Sequence, residues 1–150
     1  MDPSIERTVR ELADLEAIRD LARRYAHYVW QNDLDRLVEV FTDDGEMDPG
    51  VRPPIQGRAQ LLEAFRQMLQ GDSRFRPFVG QHVIELAGDA ATGTCYIDLR
   101  AVVEGRSMIG AGWYEDRYAR TSTGWRIRSR KITLSFFVPL SEGWAAKWTL

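Results

Sequence analysis

Three amphipathic helices followed by four long strands predict an α+β domain, with one strongly bent sheet wrapped around the helices and an apolar pocket between the layers. Two observations carry this prediction. Apolar residues recur every three or four positions through the first half of the chain. From Phe78 onward the period drops to two, and short turn signals separate the runs.

The first helix is expected from about residue 4 to residue 31. Ile5, Val9, Leu12, Leu15, Ile18, Leu21, Tyr25 and Tyr28 form its stripe, which puts Tyr25 and Tyr28 on the inner side. Asn32 or Asp33 caps a second, short helix that carries Leu34, Leu37, Val38 and Phe41 inward and stops near Asp43-Asp44-Gly45. A third begins at Gly57-Arg58 and buries Leu61, Leu62, Phe65 and Leu69. The strands are expected at roughly 78–87, 91–103, 106–120 and 124–138, as an antiparallel meander. Alternation puts Cys95, Ile97, Leu99, Ala101 and Val103 on one face and Tyr96, Asp98 and Arg100 on the other. In the next strand Gly110, Gly112, Tyr114, Asp116 and Tyr118 share a face, and the two glycines leave room for a ligand beside Tyr114.

The 150 residues suit a single domain spanning 1–150, long enough to bury roughly two thirds of its unfolded surface. A net charge of −2 gives no general attraction to phosphate backbones, so nucleic acid is not expected as a partner. Arg126, Arg128 and Arg130 alternate with Trp125, Ile127 and Ser129, the pattern of a strand with one wet face. Cys95 is the only cysteine and sits in an apolar run, so it is expected to be a buried thiol in a reducing compartment. The polar amino terminus, and the absence of any window of about eighteen apolar residues, predict a cytoplasmic protein with no membrane span.

For chemistry, the segment from Asp44 to Arg58 stands out. Asp48 lies between Met47 and Pro49, where apolar neighbours raise a carboxyl pKa toward the range useful to a base. The competing reading is that Asp48-Pro49-Gly50 is only a turn. Tyr28, Trp30, Phe65, Met68, Phe78, Trp113 and Phe137 are expected to wall a pocket for a hydrophobic ligand, against the alternative that they are ordinary core. His27, His82 and Cys95 are too few and too scattered for a zinc site, and Gly110-Ala111-Gly112 lacks the following helix of a phosphate loop. Neither a metal nor a cofactor is expected.

Several motifs in order resemble the nuclear-transport-factor-2-like superfamily, in its SnoaL-like and ketosteroid-isomerase-like branch. They are Ala17-Ile18-Arg19-Asp20-Leu21, Tyr25-Ala26, Asn32-Asp33-Leu34-Asp35, Val40-Phe41-Thr42-Asp43-Asp44, Ala87-Gly88-Asp89 and Gly112-Trp113-Tyr114-Glu115-Asp116. The resemblance covers nearly the whole chain. It implies a cone-shaped α+β barrel with a curved antiparallel sheet around the long first helix, a hydrophobic small-molecule ligand, and a homodimer. Asp48-Pro49 followed by Pro53-Pro54-Ile55-Gln56-Gly57-Arg58 is similar to the segment bearing the catalytic base of ketosteroid isomerases, and Asp48 falls on that base. Tyr25 matches their helix tyrosine. Tyr114 stands where they carry a protonated aspartic acid.

The tail Ser135-Phe136-Phe137-Val138-Pro139-Leu140 is similar to that of SnoaL-like dehydratases and dehydrochlorinases, which use an Asp–His dyad. Trp30 and Pro77 occupy the dyad's positions here, and His82 is the reserve candidate. Two functions follow from the resemblance. One is a cofactor-independent isomerase or lyase that moves a proton α to a carbonyl on a cyclic steroid, terpenoid or polyketide-like molecule, with a dehydratase or cyclase as a variant. The other is a binding or assembly domain without turnover.

Overall fold

The computed structural model of the chain describes residues 2–148. Helix α1 (Pro3–Gln31) starts where the Asp2 carboxylate accepts from the Ser4 backbone N–H at 2.8 Å and ends where Asn32 adopts a left-handed conformation, φ 56°. Only its second half is packed: Ile18, Leu21, Ala22, Tyr25, Ala26 and Val29 are buried, whereas Ile5, Val9 and Leu12 are more than half exposed. The apolar stripe therefore runs past the reach of the sheet. Asp14 ties the middle of the helix down, taking two bonds from Arg120 at 2.8 and 2.7 Å and one from Trp125 Nε1 at 2.9 Å.

Helix α2 (Leu34–Glu39) is shorter than its apolar pattern suggested. Phe41 does turn inward, but as the first residue of strand β1 (Phe41–Asp48), because Val40 O accepts from Ile127 N at 2.8 Å and draws the backbone into the sheet. A two-residue strand, β2 (Ile55–Gln56), pairs with it. Helix α3 (Arg58–Leu69) buries Leu61 and Phe65, and its first residue clamps it to β1 through Arg58 Nη2 donating to Phe41 O at 2.6 Å.

Four long strands complete the chain: β3 (Arg74–Ala87), β4 (Ala90–Val103), β5 (Arg106–Thr121) and β6 (Gly124–Pro139). The sheet order is β2-β1-β6-β5-β4-β3. β1 runs parallel to β6, so the curved sheet is mixed rather than purely antiparallel, and it does not close. The helices pack on one face of this open cone, and α1 rests on β3 and β6. Ile18, Leu37, Leu61 and Ile127 are wholly buried in that core. Each contributes about 1.5–3 kcal/mol of apolar burial.

The face assignments for β4 and β5 hold, since Cys95, Ile97, Leu99, Ala101, Tyr114, Asp116 and Tyr118 are all buried. The space expected beside Gly112 is absent. A side chain there would meet Thr133 O at 1.9 Å, because the register shift between Ala111 and Gly112 brings β6 backbone against it. None of the helices among the described residues is long and apolar enough to cross a membrane.

Candidate active site

A charged centre lies inside the cone. β5 alternation sends Tyr114, Asp116 and Tyr118 inward, and the β5–β6 register sets Asp116 opposite Arg130. Arg130 Nε donates to Asp116 Oδ1 at 2.8 Å and Nη2 donates to Oδ2 at 2.7 Å, with both side chains fully buried. The guanidinium lies 4.4 Å from the ring centre of Tyr25 and 4.0 Å from that of Tyr114, and those two rings meet edge to face at 5.6 Å. Nη1 of Arg130 is buried and has no hydrogen-bond partner among the described residues. A buried donor of a charged group left without a partner is costly, which makes it a feature requiring an explanation.

The network continues to His82. Tyr118 donates its hydroxyl hydrogen to Asp116 Oδ2 at 2.7 Å, so its oxygen must accept from His82 Nε2, also 2.7 Å away. His82 therefore carries its proton on Nε2 and keeps Nδ1 as a free lone pair. A bulge sets this up: the β3 register shifts between Gly80 and Val83, where Gln81 takes φ 49°, and the shift rotates His82 inward.

Burial lowers the His82 pKa to about 4, with Asp116 opposing and Arg130 adding to the effect, so the ring is neutral at pH 7. The unfolded chain takes up this proton near the ordinary histidine value of 6.5 and the folded chain only near 4, so stability falls as pH drops through that window. The loss at pH 4 is up to about 3 kcal/mol, reduced by solvent screening of a half-buried ring. Urea midpoints at pH 7 and pH 4 should separate in the native protein and converge in His82→Gln.

Burial raises the hydroxyl pKa of Tyr25, Tyr114 and Tyr118, so all three are protonated donors. Burial works against the charge of Arg130, but Asp116 more than offsets it and holds the guanidinium ionised. Burial also raises Cys95 and leaves an inert thiol.

The other residues singled out in the sequence fall in different places. Tyr25 and Tyr114 come together, but Asp48 does not join them. Strand alternation turns Met47 inward, where its Sδ lies 3.8 Å from the Tyr25 hydroxyl, and sends Asp48 to the opposite face beside Lys131. There Asp48 Oδ1 accepts from Gly50 N at 2.8 Å, as in a plain Asx turn, at the rim of a polar groove of about 670 Å³ that Glu46, Glu115 and Lys131 also line.

The expected pocket walls are divided in the same way. Phe65 is core, 6.1 Å from Tyr25, and Met68 packs against that core. Phe78 and Trp113 lie on the outer face with Tyr96, along an apolar groove of about 610 Å³. Phe137 stacks on Phe75 at 6.5 Å. Tyr28 is half-buried at the helix edge and accepts from Arg24 Nη1 at 3.2 Å. Trp30 and Pro77 do meet, through Trp30 Nε1 donating to Pro77 O at 2.9 Å, a contact that transfers no proton.

Sequence reasoning missed Arg130. Trp125 and Ile127 obey the two-residue period, but the register shift opposite Arg117/Tyr118 leaves Arg128 unpaired and reverses the phase, so Arg130 faces inward instead of joining a solvated row. The available signal was Asp116: a carboxylate on an apolar face requires a cation. Among the described residues no group of three or more His, Cys, Asp or Glu side chains is arranged to hold a metal ion.

The SnoaL-like domain family matches residues 10–131 of the chain. The Mycobacterium tuberculosis protein Rv2910c is 28% identical over 133 residues, which covers 86% of this chain and 90% of the relative. Among solved structures, an NTF2-like protein with a cystatin-like fold from Novosphingobium aromaticivorans is 26% identical with a TM-score of 0.76, covering 98% of this chain and 96% of that one. The hexachlorocyclohexane dehydrochlorinase LinA-type3 from Novosphingobium barchaimii shares the fold at a TM-score of 0.83, with 20% identity over 89% of this chain and 94% of that one.

Proposed function

The chain belongs to the SnoaL-like domain family, and from that premise we propose that it is an isomerase or lyase acting on a hydrophobic cyclic ketone of steroid, terpenoid or polyketide type. The buried, unpartnered Nη1 of Arg130 carries this reading. A guanidinium packed against two protonated phenols gathers cationic and hydroxyl donors in one buried cluster, the kind of group that stabilises an oxyanion as it forms.

His82 supplies the base in place of Asp48. Its Nδ1 takes the proton α to the carbonyl, and the C–H electron pair moves onto the carbonyl oxygen, which receives Arg130 Nη1–H and the Tyr25 and Tyr114 hydroxyls. The enolate then collapses, either by taking the proton back at a conjugated carbon or by expelling a β-leaving group. A dehydrochlorinase with this fold gives the second outcome a parallel by analogy. Asp116 and Tyr118 position the two ends: the carboxylate fixes the guanidinium, and the hydroxyl fixes the imidazole tautomer.

A reading without turnover has its own support. Tyr25 and Tyr114 are 3% exposed and Arg130 is 0% exposed, so the centre is closed in this state and a ligand must open it. Conjugated-enone absorbance separates the two readings, with a β,γ-unsaturated ketosteroid and a β-hydroxy cyclic ketone as substrates. Tyr25→Phe and Tyr114→Phe are each expected to lower kcat by about 10²–10³-fold, with KM little changed. Saturable binding of both ketones with no enone from either would leave only the binding reading.

A further inference from the structure

The edge strand β3 carries an arrangement that the proposed reaction does not use. Arg76 faces Arg100 directly across the β3–β4 register, and Arg74 lies two residues away on the same face. Like charges directly opposite destabilise a sheet. Asp98 offsets Arg100 through an ion pair, but Arg74 and Arg76 have no carboxylate partner among the described residues. Both are nonetheless fixed. Arg74 Nη1 donates to Gly71 O at 2.6 Å and to Ser73 O at 2.9 Å. Arg76 Nη1 donates to Phe75 O at 2.9 Å, and its guanidinium lies 5.2 Å from the ring of Trp30, which is itself anchored on Pro77 O. The Nε and Nη2 donors of both arginines have no protein partner among the described residues. Two such forks, held in place and unpaired, match the oxygens of a carboxylate or phosphate.

The surroundings indicate the rest of the ligand. Arg74 and Arg76 line two adjoining depressions of about 310 and 340 Å³. The second is lined by Val29 and Leu69, which belong to the core side of the cone, together with the polar Asn32, Gln70 and Ser73. Val29 lies one helical turn beyond Tyr25 on the buried face of α1. We infer that Arg74 and Arg76 bind the oxyanion of an amphipathic ligand whose apolar body passes over Val29 and Leu69 toward Tyr25. The direction of the apolar end rests on the active site proposed above, and the anion site stands on its own geometry. The substrate class is thereby narrowed to hydrophobic molecules bearing a carboxylate or phosphate.

Isothermal titration of the whole protein at low salt with decanoate, decyl phosphate and methyl decanoate tests this inference. At least one of the two anions should bind about tenfold or more tightly than the ester. Whichever anion gains the larger margin identifies the headgroup. In the Arg74→Gln/Arg76→Gln variant, both substitutions being at the sheet edge, the margin should disappear while the ester's own affinity is unchanged. Equal affinity of anion and ester, a margin that survives in the variant, or no binding of any of the three would overturn the inference. Absence of ketone turnover would leave these affinities unaffected, so the two proposals fail separately.

Discussion

Arg130→Met is expected to destabilise the protein by about 3–5 kcal/mol, the usual consequence of removing one partner from a buried ion pair. For a domain of this size calorimetry should record that as a fall in Tm of roughly 6–20 °C. The loss has two sources. Asp116 keeps a single hydrogen bond, from Tyr118, for a carboxylate shut away from water. Tyr25 and Tyr114 lose the cation between their rings, worth about 2 kcal/mol where it is desolvated. The double variant Asp116→Leu/Arg130→Met separates the sources, because replacing both charges with apolar side chains is often neutral. Recovery of most of the lost Tm assigns the cost to the stranded carboxylate. If the double variant melts as low as Arg130→Met alone, packing around the guanidinium is the larger contribution.

Periodicity located the elements that have one wet and one dry face. The buried run of α1 and the alternation of β4 follow directly from their apolar spacing, because in each the apolar residues of that run all face the core. The exposure of Ile5, Val9 and Leu12 was not readable, since a stripe does not record where the sheet beneath it ends. Phe41 fitted a helical spacing equally well, and only pairing with β6, far away in sequence, makes it a strand residue. The inward turn of Arg130 was hidden for a related reason. Strict alternation predicts the face of Tyr114 and Asp116 correctly, and places His82 with Ile84 and Leu86, but it fails across the β6 bulge that turns Arg130 inward. Asp48 shows the converse: its local sequence resembles a catalytic segment, yet its place next to the inward-facing Met47 puts it on the far side of the sheet.

If His82 is the base, His82→Gln should lower kcat by about 10²–10⁴-fold at pH 7, the range over which a positioned base contributes. Gln retains an N–H for the Tyr118 oxygen but offers no basic nitrogen, so the network survives and the chemistry does not. The pH profile gives an independent reading. With the imidazole pKa lowered to about 4 by burial, kcat/KM should stay level from pH 8 to pH 5 and fall only as pH approaches 4. A base titrating at its ordinary value would already show its decline near 6.5. Acid also weakens the fold through this same group, so rates below pH 5 must be taken on protein shown by circular dichroism to remain folded. Asp48→Asn is the necessary companion. From the outer face it should leave kcat within about twofold, because its carboxylate is held by Gly50 N and, among the described residues, forms no hydrogen bond or ion pair with Asp116 or Arg130. Loss of turnover in Asp48→Asn together with an active His82→Gln would reverse the assignment. That result would require β1 to twist Asp48 inward in the working enzyme and give up the turn at Gly50.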